Sequence, residues 1–269
     1  YLNPKFILNL SLVAENFYLN KEYDKATKVL KNFDKKYEFY YWFRSKKEAQ
    51  IIIKKNGYDE GIDFINSKFS KIDNPNIKII FDIANFYKNS KNYEKAIMYY
   101  SKIISLLSNN LEVKSDLLYR RGGSYERLGN YQKADEDLLN SLKINPDDAY
   151  VLNYLAYSWL ERDYKIDEAM EMLKKAYDLR SNDPYITDSI GWAYYLIENY
   201  IEAEKYLKKA VELMPEDATV NDHYGDILWK LNRKIQARYF WNYVLSLDNA
   251  DEEIKQKINI KIIEGLKNS

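Results

Sequence analysis

The sequence predicts an all-α fold, a solenoid of antiparallel helix pairs built from a unit of about 34 residues. The first observation behind this is a recurring segment: Tyr93-Glu94-Lys95-Ala96, Tyr131-Gln132-Lys133-Ala134 and Tyr200-Ile201-Glu202-Ala203, each with a Tyr three residues before a small Ala. The second is a small residue in the helical pattern ahead of each segment, namely Ala84, Gly122 and Gly191. The third is composition. With 8 Gly, 5 Pro and 46% hydrophobic residues, the chain suits helices joined by short turns around a continuous core. Pro146, Pro184 and Pro215 fall between predicted helices, where they stop one and restrain the next. A solenoid presents an extended surface, so binding is expected ahead of chemistry.

The units follow in order once the small Ala is set at place 20. Unit one, 7–40, holds Val13, Ala14, Phe17, Tyr23, Ala26 and Leu30. Unit two, 42–75, departs from the pattern: Ala49 and Tyr58 fit, but Gly61 replaces the Ala, which makes this unit the expected weak link, where the winding changes. In unit three, 77–110, Ile80, Ile83, Ala84 and Tyr87 follow the i, i+3, i+4, i+7 spacing of an amphipathic helix, and Ala96, Tyr100 and Ile103 form the second helix's stripe. Unit four, 115–148, carries Leu118, Gly122, Tyr125, Gly129, Tyr131, Ala134 and Leu138. Unit five, 149–183, carries Leu152, Leu155, Ala156, Trp159, Ala169, Leu173 and Ala176, with one extra residue in its turn around Asp163 to Asp167. Unit six, 184–217, has Ile190, Gly191, Tyr194, Tyr200, Ala203, Leu207 and Ala210. Unit seven, 218–251, keeps Gly225, Leu228, Ala237 and Trp241 but places Lys234 where Tyr is usual. Residues 252–267, with Ile254, Ile258, Ile262 and Leu266 on one stripe, form a capping helix over the last apolar face. Residues 1–269 are thus expected to be a single solenoid of about seven repeats plus a cap.

The small residues have a physical reason. Helices of about 14 residues are marginal alone in water and persist by packing closely. A large side chain at a crossing point would cost roughly 1–3 kcal/mol in overpacking. The Tyr residues near place 17 fill the gap beside the turn, so most of the 27 Tyr are expected to be structural.

Net charge is zero overall, yet residues 1–110 hold 19 Lys and Arg against 12 Asp and Glu, and residues 111–269 hold 22 against 29. The even reading is variation on solvated faces; the sharper one is that the halves meet different partners. The absence of Cys excludes disulfides, thiol catalysis and cysteine metal sites. No apolar run approaches the roughly 18 residues of a membrane span. The chain starts at Tyr1 rather than Met, so it is expected to be a trimmed or mature form with room for a signal peptide or lipid anchor upstream.

The repeat pattern resembles the tetratricopeptide repeat (TPR) family over nearly all of the chain, most strongly from 77 to 217. The segments Asp188-Ser189-Ile190-Gly191-Trp192-Ala193-Tyr194-Tyr195 and Asn221-Asp222-His223-Tyr224-Gly225-Asp226-Ile227-Leu228-Trp229 are similar to TPR proteins of the proteobacterial cell envelope. Some of those are lipoproteins, and one group serves as the adaptor of a carboxyl-terminal processing protease. The lipoproteins' anchor cysteine is missing here. The resemblance implies a right-handed superhelix whose first helices line a concave groove through places 2, 5, 6, 9, 12 and 13. Carried over by register, it implies groove residues Tyr150, Asn153, Tyr154 and Tyr157 in unit five, Tyr185, Asp188, Trp192 and Tyr195 in unit six, and Asp222, Asp226 and Trp229 in unit seven. That groove is aromatic with acidic points, the residue types enriched where binding energy concentrates. The alternative is that these rings pack against adjacent helices. Upstream, Asn85 offers a side-chain amide to a peptide backbone and Arg120 a fork to a carboxylate. The residue set of a two-carboxylate clamp is absent, so a chaperone carboxyl terminus is not the expected ligand.

Chemistry finds little support. The single histidine, His223, stands beside Asp222 and near Asp226, but no nucleophile context accompanies it, and one His cannot make a paired metal site. Gly122-Gly123 lacks the rest of a phosphate loop. The lysine pairs Lys46-Lys47 and Lys54-Lys55 read as solvated helix faces. No catalytic residue, metal, cofactor or small-molecule substrate is expected. The expected function is a non-enzymatic scaffold or adaptor that binds a peptide or partner protein, in the bacterial periplasm or envelope ahead of the cytoplasm. The alternatives are a cytoplasmic assembly scaffold and, last, a nucleic-acid-associated protein using the basic N-terminal half.

Overall fold

The computed structural model describes residues 4–31, 38–107, 110–247 and 250–266. Parts of units one, three and seven, and residue 267 of the cap, lie outside them. Among the described residues there are fifteen α-helices and no strand. The chain divides into two compact units, residues 1–137 and 138–269.

The N-terminal unit holds α1 (Pro4–Leu19), α2 (Tyr23–Leu30), α3 (Glu38–Asn56), α4 (Tyr58–Phe69), α5 (Ile77–Asn89), α6 (Tyr93–Leu106) and α7 (Leu111–Arg127). The boundary between the units falls within α8 (Tyr131–Ile144). The C-terminal unit continues with α9 (Ala149–Glu161), α10 (Ile166–Leu179), α11 (Pro184–Leu196), α12 (Tyr200–Leu213), α13 (Ala218–Lys230), α14 (Lys234–Ser246) and α15 (Glu252–Glu264). Taken two by two, the first fourteen helices supply one pair for each repeat, and α15 remains as the cap.

The small residue at place 20 is buried in every repeat: Ala26, Gly61, Ala96, Ala134, Ala169, Ala203 and Ala237. Unit two departs from Ala for a local reason. A Cβ on Gly61 would run into the Ile53 side chain of α3, so α3 and α4 approach more closely than an Ala allows. Similarly, a Cβ on Gly225 would collide with the Trp241 indole, which fixes the crossing of α13 and α14. The N-terminal core gathers Ile80, Ile83, Ala84, Tyr87, Tyr100 and Ile103 as the spacing predicts; of Val13 and Ala14, both read in the pattern of unit one, Ala14 is buried and Val13 is 44% exposed. In the C-terminal unit the buried cluster runs through Leu207, Tyr224, Ile227, Leu228, Trp241 and Val244 to Ile258 of α15.

Turns and caps repeat with the helices. Place 15 is left-handed in six repeats: Lys21, Lys91, Gly129, Asp163, Glu198 and Asn232 have φ between 51° and 71°. Of the lysine pairs, Lys54-Lys55 is exposed, as expected of a solvated face, while Lys46-Lys47 is half-buried. Lys46 reaches Asp82 of α5 at 3.0 Å, Lys47 pairs with Glu15 of α1, and the exposed Lys55 meets Asp24 of α2 at 2.9 Å. Between α7 and α8, Arg121 grips the buried Asp137 with two bonds of 2.7 Å. No helix among the described residues is long and apolar enough to cross a membrane.

Candidate functional site

In the C-terminal unit, α9, α11 and α13 lie side by side, so groove places of units five to seven share a face. Each of these helices starts on an aspartate. Asp148 accepts the Tyr150 and Val151 backbone N–H groups, Asp183 accepts those of Tyr185 and Ile186, and Asp217 accepts that of Val220, all at 3.0–3.2 Å. The caps set Tyr150 and Tyr185 at the N-terminal ends of α9 and α11, where both rings stay exposed. The Tyr150 hydroxyl donates to Asp183 at 3.1 Å, and the Arg180 guanidinium lies over its ring. Tyr185 is 55% exposed.

Deeper in the face, Asp188 and His223 form a buried pair, with His223 Nδ1 2.8 Å from Asp188 Oδ2. The Trp192 ring stacks on His223 at 4.0 Å on one side and on Tyr195 at 4.5 Å on the other, and its indole N–H donates to Glu161 at 2.9 Å. Burial works against the charge on His223, but the adjacent Asp188, with Asp222 and Asp226 behind it, more than offsets this, so its pKa lies above the ordinary imidazole value. Burial first, then the negative charge of Asp226, holds the Tyr195 phenol proton on well above its usual range. The other Asp188 oxygen, Oδ1, and the Asn153 amide oxygen are buried with no donor among the described residues. Tyr154 and Tyr157 are half-buried and engaged with neighbours.

At the far end the acidic places close on the cap. Lys261 of α15 donates to Asp222 at 2.6 Å and to both oxygens of Asp226 at 2.8 Å, and the Trp241 indole N–H adds a bond of 3.0 Å to Asp226. Burial, reinforced by Asp222, still pushes the Asp226 carboxyl up to about 6. Trp229 packs on Trp241 at 5.4 Å and against Gly265, with Lys234 and Arg238 over its ring. Of the residues the register assigns to this face, Tyr150 and Tyr185 keep exposed surface, and Asp222, Asp226 and Trp229 are engaged by α14 and α15. The histidine's partner is Asp188, one repeat back, and not the neighbouring Asp222. Lys261 escaped the sequence reading because α15 was read for its apolar stripe. Its spacing of 35 residues from Asp226, one repeat onward, is the signal that finds it.

In the N-terminal unit, Asn85 and Arg120 are anchored locally. Asn85 Oδ1 accepts the Tyr100 hydroxyl at 2.7 Å, and Arg120 donates to Asp116 at 2.8 Å while lying over Phe81.

Three of the repeats match models of a known family. Residues 77–110, 115–148 and 189–217 match profiles described as Tetratricopeptide repeat. The chain is similar to a TPR repeat-containing protein of Pseudomonas aeruginosa (PA4667), 27% identical over 159 residues that make up 59% of this chain and 26% of that protein. It is also similar to the lipoprotein NlpI homolog of Haemophilus influenzae, 30% identical over 113 residues, 42% of this chain and 35% of that one. It therefore spans about a quarter to a third of the length of these relatives. A solved tetratricopeptide repeat protein from Parabacteroides merdae superposes with a TM-score of 0.61 at 16% identity, over 83% of this chain and 88% of its own, which is a likeness of fold.

Proposed function

We propose, from the premise that this chain is a tetratricopeptide-repeat protein, that it is a scaffold or adaptor whose partner lies across the aromatic face of units five and six. Proteins of this family mediate protein–protein interactions and are generally non-enzymatic. The observation that carries the placement is the pair of exposed rings, Tyr150 and Tyr185, held at equivalent ends of α9 and α11 beside the stacked Trp192. Rigid aromatic surface that is already ordered binds at low entropic cost. Asp222, Asp226 and Trp229 take a supporting role, fixing the end of that face through Lys261 and Trp241. Asn153 and Asp188 supply acceptors behind the rings. Association with the bacterial envelope is part of the reading and rests on the similarity to the Haemophilus lipoprotein homolog.

A photo-crosslinking residue at position 185 tests the placement in cells: a discrete protein adduct is expected, and its absence there with strong adducts at exposed Ile235 would sink it. Tyr185→Ala is expected to weaken capture of that partner by about tenfold at unchanged stability. Trp192→Ala should weaken it as well, with some loss of stability from the two ring stacks. Tyr157→Ala should act on binding more than on stability. Recovery of the full-length protein from the cytosol alone would remove the envelope part of the reading.

A further inference from the structure

A cavity of about 290 Å³ opens in the N-terminal unit between α1, α3, α4 and α5. It is lined in part by Gln50 and Lys54 of α3, Tyr58 of α4, and Asn85 and Asn89 of α5. The charges around it do not cancel. Lys46 on its wall is taken by Asp82, whose carboxylate also accepts the Trp42 indole N–H at 2.9 Å. Lys47 and Lys55 turn away to Glu15 and Asp24. Lys54, exposed at the mouth, has no carboxylate partner among the described residues. Asn85 spends its oxygen on the Tyr100 hydroxyl, which leaves its amide N–H groups as donors. Against these donors stands one orphaned acceptor, Gln50 Oε1, buried with no hydrogen-bond partner among the described residues.

We propose that this cavity binds a carboxylate-bearing residue of a peptide, with Lys54 as its counter-charge, Asn85 and Asn89 donating to its oxygens, and a backbone N–H of the same peptide donating to Gln50 Oε1. The charge selects the ligand. One uncompensated ammonium matches one carboxylate, whereas a phosphate, near −2, would be left half-neutralised beside Asp82. The volume lies at the low end of the roughly 300–1,000 Å³ of small-molecule pockets, room for one side chain and its flanking backbone. The excess of Lys and Arg in residues 1–110 would steer an acidic segment toward this unit. The inference is independent of the C-terminal face: its residues, its ligand charge and its unit all differ.

Fluorescence anisotropy with labelled peptides on the full chain tests it. One peptide carries internal Glu residues and an amidated end; the second replaces each Glu with Gln; the third is the Gln peptide with a free terminal carboxylate. Binding of the first or the third, and not of the second, is expected, and which one binds tells a side-chain carboxylate from a chain end. Lys54→Glu should weaken that binding by about tenfold or more. Asn89→Ala should weaken it less, and both positions are exposed. Tyr185→Ala should leave it unchanged. Equal binding of the Gln peptide with the amidated end, insensitivity to Lys54→Glu, no binding up to about 1 mM, or dependence on Tyr185 would each overturn the proposal. Loss of the acidic peptide with intact Tyr185-dependent partner capture would sink this inference alone.

Discussion

The two units hold an aspartate in the same way and then diverge. In the N-terminal unit, Asp82 receives the Trp42 indole N–H and the Lys46 ammonium; in the C-terminal unit, Asp226 receives those of Trp241 and Lys261. Around Asp82 the charges are left in positive surplus, because Lys54 has no carboxylate partner among the described residues, and a cavity remains open. Around Asp226 a second carboxylate, Asp222, uses the same lysine, and an aromatic stack with a buried His–Asp pair fills the neighbouring face. One device thus sits in a donor-rich pocket and in a closed network. The sign of the spare charge, rather than the repeat itself, separates the two surfaces.

Removing the shared cation should break the symmetry most. Lys261→Met leaves two carboxylates, one of them 6% exposed in its side chain, without a cation, and is expected to cost about 3 kcal/mol in chemical denaturation. Lys46→Met should cost about 1 kcal/mol, since Asp82 is less buried and keeps Trp42. Equal losses would mean that the two aspartates are equivalent after all.

Next come the glycine contacts. Gly225→Ala drives a methyl into the fixed Trp241 indole and should cost about 2 kcal/mol, whereas Gly61→Ala meets the rotatable Ile53 and should cost about 1 kcal/mol. Melting curves of the two variants check the order.

A pH titration sharpens the contrast at a scale of about 1–2 kcal/mol. Asp226 is raised from 3.8 to about 6 in the folded chain, so its contribution is fully present below the lower value and is lost as pH rises through the upper one. His223, also raised, contributes fully below 6.5 and loses that contribution as pH climbs through its higher folded value. The C-terminal unit should therefore weaken toward alkaline pH. Asp226→Asn should flatten the acidic part of the slope, and an unchanged slope would refute the assignment. The smallest effects are local. Glu198→Gly relieves a left-handed residue and should stabilise by about 0.5–1 kcal/mol, while Lys54→Ala should stay within about 0.5 kcal/mol.

The architecture was legible because its cause is periodic. One small residue per repeat at a helix crossing leaves a mark in the sequence, and every place-20 residue from Ala26 to Ala237 is buried. The register also brought Asp188, Trp192 and His223 onto one face, but not the direction of each pairing. For Lys261 the period gives the spacing to an aspartate one repeat back, but not whether the side chain turns to it or to solvent. Gln50 went unread, and Lys54 was read only as part of a solvated face. A period fixes which places α3 turns to the groove, but not that the cavity beside them stays open or that Gln50 Oε1 is left without a donor among the described residues.

The left-handed residue in each turn carries one more consequence. The turn between α9 and α10 contains an extra residue, and it answers with a second left-handed position: Asp163 and Lys165 both have positive φ. The flanking helices keep lengths of 13 and 14 residues, the same as α11 and α12. Length added there is swallowed before it reaches Ala169. The tip at Asp163–Lys165 is thus a natural graft point, where an epitope or reporter segment could be spliced in without re-phasing the helices on either side.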